Sequence, residues 1–275
     1  MKKEERYHTF WKYVLLVMGS ILILIPLLAT VFSSFKTTKD IMQHFFAFPN
    51  PVTLSNYTRL LADGIGHYFW NSTIITVVSV ILVTLFIPAA AYSIARNMSK
   101  KRAFNIMYSL LILGIFVPFQ VIMIPITVMM SRLGLTNIWG LIILYLTYAV
   151  PQTLFLYVGY IKLSVPESLD EAAEIDGASK FQIFKSITFP QILLVMMPNL
   201  IQQFIGNINN FNVIYLLSGG DPVTNLSSTA GSTDLLVTWL YKLTVDKQYY
   251  NVGAVIGILT FVILAVGALF TYRNS

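Results

Sequence analysis

Residues 170–190, DEAAEIDGASKFQIFKSITFP, gather the carboxylates Asp170, Glu171, Glu174 and Asp176 beside Lys180, Lys185, Phe181 and Phe184, in a chain only 11% charged. Such a cluster invites three kinds of chemistry: catalysis, metal binding or recognition of another protein. The first two find no support. No HExxH, CxxC or GxSxG pattern is present, and the absence of cysteine removes disulfides, zinc-thiolate sites and cysteine nucleophiles. His8, His44 and His67 are far apart in sequence. No phosphate loop is present either, because the segment from Gly177 to Lys185-Ser186 lacks its second glycine and its spacing, so the chain is not expected to hydrolyse ATP by itself.

A second constellation is uncharged. In NLIQQFIGNINNFN, Asn199, Gln203, Asn207 and Asn210 fall within a quarter turn of one another on a helix, with Gln202 and Asn209 extending the arc. Amides both donate and accept, so they match hydroxyl-rich ligands without requiring a counter-ion. Phe204, Phe211 and Tyr215 nearby offer faces on which a sugar ring could stack, and Tyr148, Gln152 and Thr153 are candidate companions. The alternative for any one amide is hydrogen bonding between helices, as polar side chains do in membrane bundles.

The elements that must position these residues are apolar. Of the 275 residues 56% are hydrophobic, and six runs, 13–32, 70–95, 104–130, 138–161, 192–217 and 252–272, are long enough to cross the hydrocarbon of a bilayer. The expected fold is all-α, a polytopic membrane protein with six transmembrane helices. The first span lacks a small-residue cleavage site and reads as an uncleaved anchor. Lys2, Lys3, Arg6, Lys12, Arg96, Lys100, Lys101, Arg102, Lys162, Lys180, Lys185 and Arg273 fall on one side of these spans, twelve of the eighteen basic residues. Basic residues stay preferentially in the cytoplasm, so both termini and residues 162–190 are expected there. The divisions are then a cytoplasmic segment 1–12, a six-span domain 13–272 with an external loop 218–250, and a short cytoplasmic end 273–275. Topology accounts for the net charge of +6, and no nucleic acid partner is implied. None of the six runs contains an Asp, Glu, Lys, Arg or His, which argues against carriers driven by intramembrane protons or ions and suits a neutral solute.

Ser164 and Glu167 have capping-box spacing with Pro166 near a helix start, and Gly177 fits a C-cap. Ser179 and Gln182 repeat the spacing and begin a second helix expected to end near Pro190. On the first helix Leu169, Ala172 and Ala173 share a face opposite a stripe of Glu167, Glu171 and Glu174. Two short helices that present acids, small residues and phenylalanines suit a groove in another protein.

Glu171-Ala172-Ala173, Gly177, and Ile187 with Phe189-Pro190 resemble the EAA motif of permease subunits of binding-protein-dependent ATP-binding cassette importers; leucine is usual where Phe189 stands. VPESLDEAAEIDGAS, placed between the fourth and fifth of six spans, is similar to the carbohydrate branch related to the maltose permeases. The resemblance covers most of the chain. Up to about Pro198 it is to the shorter permease of the carbohydrate pair, and from NINNFNVIYLLSGGDP onward to the longer. It implies that the two helices are coupling helices docked on a cytoplasmic ATPase. Glu171 would make the charged contact, Ala172 and Ala173 would permit close approach, Gly177 the bend, and Phe181, Phe184 and Pro190 would complete the docking element. It further implies a second permease, two ATPase copies that use ATP and Mg, an extracytoplasmic solute-binding protein, no cofactor on this chain, and the plasma membrane of a prokaryote. The segment NINNFN resembles one whose asparagines contact sugar, which points to Asn207 and Asn210, and more weakly to Gln203. A stand-alone facilitator or secondary carrier is the rival class, with a membrane scaffold behind it.

Overall fold

The computed structural model describes residues 2–222 and 229–274, with side chains described for 9–222 and 229–269. Among the described residues the regular structure is entirely helical. Among the described residues five helices are long and apolar enough to cross a membrane, and a sharply bent pair supplies a sixth candidate span. Hydroxyls within these spans, including Ser20, Thr30, Thr84 and Thr147, donate to the carbonyl four residues back, so they need no partner from the surroundings.

The chain forms two compact units. The first comprises Met1–Gly66 and Trp239–Val266. It contains α1 (Lys2–Ser34), α2 (Thr38–Gln43) and α3 (Ser55–Ala62). Only 6% of the apolar window of α1 is buried, as expected of a helix that meets hydrocarbon. α3 lies in the connection between α1 and α4, and its Asn56 pins that connection: the amide donates to the carbonyls of Ser34 and Lys36, each at 2.8 Å.

The second unit comprises His67–Thr238 and Gly267–Ser275. α4 (Ile65–Asn97) is followed by α5 (Arg102–Leu113), a 3-10 turn at Gly114–Phe116 and α6 (Phe119–Arg132). The expected continuous third span is broken here by a 105° bend. Pro118 has no N–H to continue the ladder and forces Val117 into the extended region, φ −91° and ψ 106°. α7 (Ile138–Ser164) crosses as one helix, N-capped by Asn137. Then come α8 (Glu167–Ile175), α9 (Lys180–Ile183), a π turn at Phe184–Thr188, α10 (Phe189–Ile208) and α11 (Phe211–Leu217).

Two buried clusters hold this unit together. Ile87, Ile94, Tyr157, Ile161 and Ile192 join α4, α7 and α10. Ile75, Met130, Leu141, Tyr145 and Ile214 join α4, α6, α7 and α11.

The expected outer loop at 218–250 is not all loop. α12 (Leu236–Tyr241) and a π turn at Lys242–Asp246 lie within it, carrying the buried Trp239 and Leu243. The glycines, serines and threonines before it mask the short apolar helix. Part of that loop, 223–228, lies outside the described residues. α13 (Tyr250–Asn274) is the last span and runs on through residues 273–274, as α1 runs back through residues 2–12.

Candidate functional site

The carboxylate-rich stretch folds as a helical hairpin. α7 extends to Ser164, so that residue cannot cap α8, and the expected Ser164–Glu167 capping box is absent. Pro166 takes the N-cap position instead and holds Val165 extended, φ −113° and ψ 96°. Glu167 and Asp170 occupy the first turn of α8, where the helix dipole favours them. The turn after α8 depends on Gly177 at φ +84°, with the Ala178 N–H reaching back to the Ala173 carbonyl at 2.9 Å. The second capping box is present: Ser179 N donates to Gln182 Oε1 at 2.7 Å, and Gln182 N to Ser179 Oγ at 3.4 Å.

Pro190 does not end this helix. It follows immediately after a π turn, whose shifted bonding pattern lets the helix pass a residue that has no N–H to donate. Lys180–Ile208 is therefore one continuous helix of 29 residues.

The faces of the hairpin differ from the expected division. Asp170 points inward and accepts from Arg96 Nε at 2.8 Å and from the Tyr92 hydroxyl at 2.9 Å. Phe184 is half-buried, its ring 5.5 Å from Tyr92 and 5.6 Å from Phe189. Glu171, Ala172 and Glu174 are exposed and Ala173 is half-buried. Outward-facing apolar groups stand beside them: Ile175 is 87% exposed, Phe181 71% and Leu169 41%. A groove of about 440 Å³ runs between this hairpin and the end of α4, bordered by Glu171, Glu174, Lys180 and Phe181. An acidic rim around exposed apolar groups is the composition of a protein-binding surface.

The amide stripe lines a separate cavity of about 240 Å³ between α7 and α10. Tyr148, Gln152, Thr153, Gln203, Asn207 and Asn210 all border it, together with Asn199, Gln202 and Tyr145. The structure thus brings the two sequence-nominated groups to one place. Gln203 Nε2 donates to Thr153 Oγ1 at 2.7 Å. Asn210 caps α11, its Oδ1 accepting from Val213 N at 3.4 Å. Tyr145 donates across the break between α10 and α11 to the carbonyls of Asn207 and Asn210, both at 3.4 Å. The break therefore leaves an unwound, hydrogen-bonding stretch of backbone beside the cavity, which membrane proteins tolerate where backbone lines a cavity or is buried in protein. The Tyr148 hydroxyl is buried with no hydrogen-bond partner among the described residues, so it retains a free donor at the cavity wall.

Phe204, Phe211 and Tyr215 do not border this cavity, and the last two stack on each other at 4.7 Å. Tyr145 was missed in the sequence, although Tyr145, Tyr148 and Gln152 recur at i, i+3 and i+7 on one face of α7. Tyr148 and Gln152 also border a second cavity of about 390 Å³ at the break between α5 and α6. Among the described residues no three His, Asp or Glu side chains are grouped to hold a metal ion.

Residues 87–274 match the family described as the binding-protein-dependent transport system inner membrane component, which is more than half of the chain. The chain belongs to this family. The permease is 62% identical over 270 residues to the multiple sugar-binding transport system permease protein MsmG of Streptococcus mutans, covering 96% of this chain and 94% of that one. It is 46% identical over 112 residues to the galactooligosaccharides transport system permease protein GanP of Bacillus subtilis, 41% of this chain and 27% of that one. Its fold is that of a chain in a bacterial ABC transporter involved in the import of the acidic polysaccharide alginate, with a TM-score of 0.77 at 22% identity over 98% of this chain and 96% of that one. Family membership makes the chain a transport subunit of a membrane, not an enzyme.

Proposed function

We propose that this permease forms the translocation pathway for a sugar, a di- or oligosaccharide, in an ATP-binding cassette importer. A separate ATPase, present in two copies, binds ATP and Mg and docks on α8 and α9 from the cytoplasm. A second permease completes the pathway, and an extracytoplasmic solute-binding protein delivers the sugar. Both termini lie in the cytoplasm of a prokaryotic cell, the side to which the basic loops assign them.

The observation that carries this reading is the continuous helix Lys180–Ile208. One end belongs to the hairpin with the acidic, apolar-tipped surface; the other carries Gln203 and Asn207 at the amide-lined cavity. At about 1.5 Å per residue such a helix is long enough to cross the hydrocarbon. A displacement of the hairpin by a closing ATPase is thereby passed along one unbroken helix to the cavity, with Pro198 as a bend point inside α10 on the way. Neutral amides, a tyrosine hydroxyl and unwound backbone suit sugar hydroxyls, and the similarity to sugar permeases points to the same class of cargo.

The test is uptake of labelled mono-, di- and trisaccharides in cells that express the chain with its candidate partners. Glu171→Lys is expected to abolish uptake and ATPase retention while the protein still reaches the membrane, and Asn210→Ala to change which sugar is carried. Uptake that survives Glu171→Lys and persists without the ATPase would replace this reading with a facilitator.

A further inference from the structure

The inward face of the hairpin is built as carefully as its outward one. Arg96, near the C-terminus of α4, engages three groups: Nε and Nη2 reach the two Asp170 oxygens at 2.8 and 3.3 Å, and Nη1 donates to the Val165 carbonyl at 3.0 Å. The guanidinium thus ties α4 to the end of α7 and the first turn of α8 in one planar fork. Both charged side chains are largely buried, 12% and 13% exposed. One turn earlier, Tyr92 holds both arms of the hairpin: its hydroxyl donates to Asp170 on α8, and its ring lies 5.5 Å from Phe184, which begins the π turn after α9. One turn before Tyr92, Pro88 removes the N–H that would bond the Thr84 carbonyl, leaving a point in α4 at which the helix bends at low cost.

We propose that Tyr92 and Arg96 are positioning residues that make α4 the receiving element for hairpin movement, so that the motion enters the bundle through α4 below Pro88 as well as along α10. The proposal rests on the coupling reading of the hairpin and adds a second route to it. If only the covalent connection through α10 carried the motion, the fork would be a folding contact alone. A bidentate fork to Asp170 plus a ring shared between both arms instead makes hairpin and α4 end one body.

The experiment reconstitutes the complete importer in proteoliposomes with the binding protein. It measures sugar carried per ATP hydrolysed, using the labelled saccharide that the wild type takes up best, and ATPase retained per permease. Arg96 and Asp170 line the inner wall of the groove, but Arg96→Gln and Asp170→Asn leave the outward Glu171, Ile175 and Phe181 in place, so both are expected to retain the ATPase yet to carry about tenfold less sugar per ATP. The double variant should lose little more than the more damaging single, since the Arg96–Asp170 fork is the link that both remove. Tyr92→Phe keeps the ring on Phe184 and loses only the hydroxyl; it should show a smaller loss, and it carries the test should the charge variants not assemble. An unchanged sugar-to-ATP ratio, losses that multiply in the double variant, or loss of ATPase retention in the singles would each overturn the proposal. Glu171→Lys run alongside separates the two readings: if it too retains the ATPase and transports normally, the coupling assignment itself fails.

Discussion

Gln203 and Thr153, fifty residues apart, meet at 2.7 Å across the cavity between α10 and α7, and the threonine is 1% exposed. A buried hydroxyl that accepts from a long flexible amide fixes where that amide can point. Thr153→Val is isosteric but offers no acceptor, and it would free the Gln203 amide toward the cavity.

Thr153→Val is expected to cost about 1 kcal/mol of stability, the net value of a neutral hydrogen bond, and to shift the KM for uptake several-fold. Thr153→Ser should preserve both. Thermal unfolding in detergent, set beside the uptake KM of the three proteins, checks this. A wild-type KM in Thr153→Val would mean that the amide's direction is irrelevant to the cargo.

Gly177 offers a prediction in which backbone and space separate. A Cβ there would meet nothing within 4 Å, yet φ is +84°. The cost of substitution is therefore conformational, about 1–2 kcal/mol for most residues and less for asparagine, which tolerates the left-handed region. Gly177→Val should reduce ATPase retention and uptake together, Gly177→Asn should retain most of both, and equal effects of the two would show that the bend is not what matters.

The connection after α1 in the first unit makes a third case. Asn56 is 3% exposed, donates to the Ser34 and Lys36 carbonyls, and accepts from Asn251 Nδ2 at 2.8 Å. Removing all three bonds strands buried partners, so Asn56→Ala is expected to destabilise by roughly 3 kcal/mol and Asn251→Ala by about 1–2 kcal/mol. The order of their unfolding temperatures in detergent is the measurement, and a reversed order would assign the anchoring to Asn251.

Much of this architecture is legible from residue type and period. Most of the apolar runs, the amide stripe on α10 as far as Asn207, the bend at Gly177 and the cap at Ser179 follow from local rules, because each depends on residues within one or two turns; the expected run 192–217 is instead broken at Asn209–Asn210, so Asn210 caps α11 and does not continue the stripe on one helix. Three features are not local in that sense. The inward turn of Asp170 depends on Arg96, 74 residues away, so a helical wheel counts it with the acids around it. The passage of the helix through Pro190 depends on a π turn that no simple period announces. Ser164 fails as a cap because α7, held by its buried Ile161 and Val158, outlasts the apolar run that marks it. The break at Pro118 was readable in principle: a proline after Gly114 in an otherwise helical run predicts an interruption. Its length and apolarity allowed a single span to be drawn across it.

Phe181 and Phe184, paired at i, i+3 in the sequence, separate in the structure, and this gives the last prediction. Phe181 is 71% exposed at the groove, whereas Phe184 is half-buried between Tyr92 and Phe189. Burial decides what truncation costs: a fully buried Phe→Ala change costs roughly 3–5 kcal/mol, so half-burial suggests about 2 kcal/mol for Phe184→Ala, while Phe181→Ala should leave the unfolding temperature almost unchanged. Binding should sort the other way. An exposed aromatic at a groove bordered by Glu171, Glu174 and Lys180 is where a partner's anchor contacts concentrate, so Phe181→Ala is expected to weaken ATPase capture by tenfold or more, about 1.4 kcal/mol. Phe184→Ala, once its lower stability is allowed for by working well below its unfolding temperature, should still capture the ATPase. Co-purified ATPase per permease and the unfolding temperature of each variant, measured on the same preparations, distinguish the two roles. Equal losses of capture in both variants would mean that the hairpin docks through its shape as a whole and that Phe181 is not an anchor.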